Sequence, residues 1–214
     1  MIVTKYVNTA RLFILLVLFS SLSDCSKQST LSLKRSVQKQ IIGFQPLDDF
    51  DILAAEKISI ELSAFFKKPV MIFKPLNMPY TFYNQTIGKY SADSILNFLS
   101  RLKNDSIVEI VGLFSKPLYV IKQNAGFPYY DEKIFGVGHQ PGNACIVSDH
   151  RFRIADSILY YRRIRNVITH EIGHNMNLSH CNNDNCIMSE TYGGFNLDKA
   201  DCNFCAKCIK ALYR

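Results

Sequence analysis

The segment His170-Glu171-Ile172-Gly173-His174 has the spacing HExxH. Two histidines four residues apart stand about one turn apart on a helix, so both can reach a single metal ion. Glu171 is rotated by about 100° from His170 and can reach a water on that metal. The apolar period of Ile164, Ile168 and Ile172 places a helix here, although HExxH by itself is short enough to arise by chance on a buried helix. His180 follows six residues after His174, and three histidines with one exchangeable position complete the tetrahedral set of a catalytic zinc. For His180 to return to the metal the helix must stop soon after His174, a turn commonly made by a residue in the left-handed conformation. Asn177 stands at that place. Glycine is the usual choice, and asparagine is among the other residues best able to take a positive φ.

A second group of metal-ligating side chains follows at once. Of seven cysteines, five (Cys181, Cys186, Cys202, Cys205 and Cys208) fall in the last 34 residues, as CxxxxC and then CxxC. This spacing suits a closed tetrahedral zinc site, and in an exported protein it equally suits two disulfides. Cys202 and Cys205 also form a CxxC, so Cys202 either replaces one of four ligands or stays free. Tyr192, four residues after Met188, is placed where a hydroxyl could bond an oxyanion, with simple packing as the alternative. Arg162, Arg163 and Arg165 read as the solvated face of a helix, and His139 and His150 as surface or hydrogen-bonding residues outside the ligand set.

The run HEIGHNMNLSHC, from His170 to Cys181, resembles the HExxHxxGxxH zinc motif of the metzincin metallopeptidases, with Asn177 in place of the glycine. More narrowly it is similar to the archaemetzincins, in which the third histidine is followed by cysteine, then CxxxxCxM and a later CxxC. Here these are Cys181, Cys186, Met188, Cys205 and Cys208. IIGFQPLDDF from Ile41 and FGVGHQPGNACIVSDHRF from Phe135 are similar as well, so the resemblance extends from Ile41 to the C terminus. It implies catalytic zinc on His170, His174 and His180, Glu171 as general base, and Met188 as the Met-turn beneath the metal. It also implies a second, structural zinc on Cys181, Cys186, Cys205 and Cys208, making two Zn2+ per chain. The implied activity is hydrolysis of peptide bonds in a peptide or protein substrate. The alternative is a zinc-stabilised, non-catalytic binding protein of the cell envelope, which Asn177 favours and Glu171 opposes; a disulfide-framed protein without metal is a third.

The elements that must position these residues alternate. A strand over Ile41–Leu47 precedes a helix capped among Asp49–Asp51 and running to Phe66, with Ile52, Leu53, Ile58, Leu62 and Phe65 at helical spacing. Val70–Phe73 is a short strand, 75–90 an irregular loop, and Ser91–Leu102 a second helix. Strands follow at 107–113, 118–121 and 143–148, and Asp156 or Ser157 caps the helix that carries HExxH to Asn175. Alternation predicts an α/β class with helices packed on a sheet. The resemblance narrows it to a zincin-like fold: a mixed twisted sheet with packed helices, the HExxH helix crossing it, and a small C-terminal segment bound to zinc by four cysteines.

The 214 residues, 48% hydrophobic and 20% charged, exclude a disordered or collagenous chain and a many-domain scaffold. The net charge of +7 is not gathered into a basic block, which excludes a nucleic-acid reader. Lys5 and Arg11 precede an apolar run, Leu12 to Phe19, too short to span a bilayer, so residues 1–24 read as a signal peptide. Leu22-Ser23-Asp24-Cys25 resembles a bacterial lipobox and makes Cys25 a candidate for lipidation. The expected localisation is therefore exported, in the cell envelope with a lipid anchor on the membrane, otherwise periplasmic or secreted. Residues 25–40, rich in Ser, Lys and Gln, form a tether, and 41–214 the metallopeptidase-like domain.

Overall fold

A computed structural model describes residues 40–124, 127–131, 134–189, 197–199 and 203–213. The signal segment, Cys25, the tether up to Lys39, Tyr192 and Cys202 lie outside the described residues.

Five strands form the main sheet: β1 (Ile41–Pro46), β2 (Val70–Ile72), β5 (Ile107–Phe114), β8 (Gly136–Gly138) and β9 (Ala144–Ser148), in the order β2-β1-β5-β9-β8. The first four in that order run parallel, with Gly43 opposite Ile110 and Val111 opposite Cys145, while β8 is antiparallel to β9 through Val137 and Ile146. β1 and β9 are buried along their whole length, as strands covered on both faces must be, which is why they read as largely apolar runs.

Side chains alternate between two cores. Ile42, Phe44, Val111, Leu113, Cys145 and Val147 face α1 (Ile52–Phe66) and α3 (Ser157–Asn175). Ile41, Ile110, Phe114, Ala144 and Ile146 face α2 (Ala92–Leu102) on the other side. α1 and α3 start at caps expected from the sequence, Asp51 accepting from the Leu53 N–H and Asp156 from Ile158 and Leu159, and α2 is capped by Ser91, which accepts from Ser94. Among the described residues no helix is long and apolar enough to cross a membrane.

Two departures from the sequence expectation stand out. The segment expected as an irregular loop, 75–90, instead contains a 3-10 turn (Tyr80–Phe82) and the hairpin of β3 (Tyr83–Asn84) and β4 (Lys89–Ser91). Asn84 Oδ1 accepts from the N–H groups of Thr86 and Ile87, and Gly88 closes the turn at φ +67°. With β6 (Leu118–Asn124) and β7 (Phe127–Asp131) this hairpin makes a second sheet in the order β3-β4-β6-β7. A short C-terminal helix, α4 (Ala206–Leu212), was likewise absent from the sequence expectation and carries Cys208.

Candidate active site

α3 buries Ile164, Val167, Ile168 and Ile172 against the sheet and ends immediately below its two histidines. The His170 and His174 rings stand 4.7 Å apart. Asn177 takes the left-handed conformation, φ +69°. Its N–H donates to the His174 carbonyl at 2.8 Å, and the next N–H, of Leu178, reaches back to Gly173 at 2.9 Å. This pair of bonds is a Schellman motif with asparagine where glycine is usual. The chain so reversed brings the His180 ring to 4.8 Å from His174 and 5.4 Å from His170. One nitrogen from each of the three lies within 4.8 Å of the others.

Each of the two helix histidines is oriented by a backbone carbonyl. His170 Nδ1 lies 2.7 Å from the Ile187 oxygen, and His174 Nδ1 lies 2.9 Å from that of Leu178. A carbonyl can only accept, so both rings carry hydrogen on Nδ1 and a lone pair on Nε2, the tautomer that metal ligation needs. Burial pushes His170 down to about 4, against the pull of the Ile187 carbonyl, which keeps the ring neutral and able to ligate. The donor set therefore fits a tetrahedral divalent cation with one position left over for water or substrate.

Glu171 is buried, with its side chain against Gly136 of β8. Burial raises its carboxyl to about 8, and the N–H of Gly138 on β8 opposes that rise by donating to it. β8 can approach this closely only because Gly136 and Gly138 carry no side chains. A Cβ on Gly136 would lie 2.8 Å from Glu171 Cγ and 2.9 Å from its Oε1, and one on Gly138 would lie 2.7 Å from the Glu171 backbone oxygen. A carboxyl raised by burial and steered by one amide is suited to taking up and releasing a proton near neutral pH.

Met188 is fully buried beneath the helix, where a Cβ on Gly173 would overlap its sulfur. The backbone of this turn is tied on both sides: Ile187 accepts from His170, and Met188 accepts from the Cys181 N–H at 2.7 Å.

Cys181, Cys186, Cys205 and Cys208 form the second group, with Sγ atoms all within 4.8 Å. Cys181 and Cys205 are 3.7 Å apart and Cys186 and Cys208 3.6 Å. Sulfurs held about 2.3 Å from a central zinc at tetrahedral angles would be about 3.8 Å apart, whereas a disulfide needs about 2.05 Å. No disulfide joins cysteines among the described residues. The N–H of Cys208 bonded to its sulfur, helped by neighbouring thiols, holds Cys205 down to about 6, toward the thiolate.

The arginines of α3 depart from the solvated face expected of them. Arg163 donates through Nε and Nη2 to the two carboxylate oxygens of Asp198 at 2.6 and 3.1 Å, and Arg162 to the Asp198 carbonyl at 3.0 Å. The fully buried Asn166 donates to the carbonyls of Leu197 and Lys199. These residues pin 197–199, a stretch between Met188 and the last two cysteines, to the back of the helix. His139 and His150 are exposed and stand outside both ligand groups. Gly136, Gly138, Gly173 and the Ile187 carbonyl were missed in the sequence, although a Gly-x-Gly in a short strand does signal close backbone approach.

The fold and this site define a zinc metallopeptidase. Residues 54–214 match peptidase family M54. The archaemetzincin of Methanopyrus kandleri is 32% identical over 141 residues, 66% of this chain and 75% of its own. That of Archaeoglobus fulgidus is 28% identical over 171 residues, 80% and 98%. The crystal structure of the M. kandleri protein superposes with a TM-score of 0.68 at 27% identity, covering 83% of this chain and 96% of that one. A zinc-dependent peptidase from Methanocorpusculum labreanum gives 0.63 at 25%, covering 80% and 99%. The chain belongs to peptidase family M54, the archaemetzincins.

Proposed function

We propose that His170, His174 and His180 hold the catalytic zinc of this peptidase and that Glu171 is its general base. Zinc bound there supplies a Lewis acid that polarises the scissile carbonyl and acidifies the attacking water. Glu171 takes the proton from that water and passes it to the departing amine, which its neutral-range carboxyl allows. His170 and His174 are held in the ligating tautomer by Ile187 and Leu178, so neither of these two rings has to reorient when the metal enters. The observation that carries this reading is the return of His180 to the two helix histidines through the left-handed turn at Asn177. That turn also supports turnover over a non-catalytic zinc protein, since it answers the one sequence feature that favoured the latter.

Cys181, Cys186, Cys205 and Cys208 hold a second, structural zinc, supported by sulfur spacings that match a closed tetrahedral site. Met188 forms the turn beneath the catalytic metal. Residues 1–24 direct export and Cys25 carries a lipid, on the strength of the basic, apolar and small-residue order of that segment; mass spectrometry of the mature N terminus tests it. For the catalytic assignment the test is Glu171→Gln. Peptide hydrolysis falls by about 10³-fold or more while zinc content stays at the wild-type value. Unchanged hydrolysis overturns the assignment.

A further inference from the structure

The sheet face under α3 is apolar except at its lower end, where β5 presents Glu109 on the same side as Val111 and Leu113. This carboxyl is buried, 6% exposed, and its side-chain partner is Asn175, whose Nδ2 donates to Oε1. Asn175 is the last residue of α3 and neighbours His174. It is also buried, and its Oδ1 has no hydrogen-bond partner among the described residues.

Asn175 meets the β8–β9 turn as well. Its backbone oxygen accepts from the Gly142 N–H at 3.0 Å. Its Oδ1 occupies the space a Cβ would need on either side of that turn, 2.8 Å from one on Gly142 and 3.1 Å from one on Gly138. Gly138 in turn donates its N–H to Glu171. One unbroken set of contacts thus runs from Glu109 on β5, through Asn175 at the helix end, to β8 and the Glu171 carboxyl.

Packing alone does not explain the polar pair. A leucine opposite an apolar residue would fill the same space without burying a carboxyl and an unsatisfied amide oxygen. The pair supplies direction: a hydrogen bond fixes the side-chain amide of Asn175, and with it the depth at which β8 sits against the helix, more narrowly than apolar contact does. We propose that Glu109 is a positioning residue which, through Asn175, holds β8 at the distance that places Glu171 for reaction. This rests on the assignment of Glu171 as the base.

At neutral pH Glu109 serves mainly as the neutral acid, because burial raises it to about 8 against the Asn175 bond and the pull of Lys103. Glutamine is the isostere of that form and retains the acceptor.

The test compares kcat and KM for a peptide substrate, normalised to zinc content, in full-length wild type, Glu109→Leu, Glu109→Gln and Asn175→Leu, with Glu171→Gln as control. Glu109→Leu and Asn175→Leu each lower kcat by about tenfold or more, with KM within about twofold and zinc retained. The double variant falls no further than either single one, as a shared contact requires. Glu109→Gln restores kcat to within about threefold of wild type. If Glu109→Leu does not fold, Asn175→Leu probes the same bond from its other end. Wild-type kcat per zinc-loaded molecule in either leucine variant, or a glutamine variant as slow as the leucine one, overturns the proposal while leaving the base assignment standing. An active Glu171→Gln overturns the base assignment and this proposal with it.

Discussion

The sulfur of Met188 fills the space directly under Gly173, one residue before His174, so tightly that the helix has room there for hydrogen alone. Phe204 closes the same spot from the cysteine-bearing segment, its ring carbon 3.0 Å from where a Cβ would stand. Gly173→Ala therefore forces Met188 or the helix to move. It should lower stability by about 1–3 kcal/mol and weaken zinc retention at the histidine site, both read by chemical unfolding and by metal titration against a competing chelator.

At Asn177 the backbone conformation, not side-chain packing, sets the expected effect. Asn177→Gly removes the strain of a side chain at φ +69°, partly offset by the greater freedom of glycine in the unfolded chain. The net gain should be about 0.5 kcal/mol, and Asn177→Ala should cost about 1 kcal/mol. Paired melting curves of the two variants check the order Gly above Asn above Ala.

Much of this site is legible in the sequence because it is local. The period of Ile164, Ile168 and Ile172, the Asp156 cap and the HExxH spacing locate α3 without reference to any other element. The largely apolar, buried runs of β1, β5 and β9 likewise announce buried parallel strands. Two-residue β3 and three-residue β8 are too short to show an alternation, so the hairpin and the strand against Glu171 stay invisible until the fold assembles them. The bond between Glu109 and Asn175 joins residues 66 apart, and no local pattern marks either one. The carbonyl of Ile187, which orients His170, is a backbone group and carries no sequence signature at all. The arginines of α3 mislead for a related reason: their partner Asp198 lies 35 residues on from Arg163.

Glu109 also makes stability depend on pH in a defined sense. Its carboxyl lies at about 8 in the folded protein against 4.5 when unperturbed, so between these values the folded state binds more protons than the unfolded one. Its contribution therefore declines as pH rises through that window, by about 1.4 kcal/mol per unit at most, and is constant below it. Glu109→Gln, which does not ionise, should be more stable than wild type by a few kcal/mol at pH 8, and the gain should shrink toward zero near pH 4.5. Urea unfolding of both proteins at pH 5 and pH 8 decides it. A gain that is equal at the two values contradicts the buried neutral carboxyl.

Zinc stoichiometry by elemental analysis, on purified wild type, His174→Ala and Cys208→Ser, tests the two-centre account most directly. Wild type should hold about two zinc ions per chain and each variant about one, with only the histidine variant keeping a melting temperature close to wild type. A single zinc that survives His174→Ala, or a well-folded wild type without zinc, would contradict it.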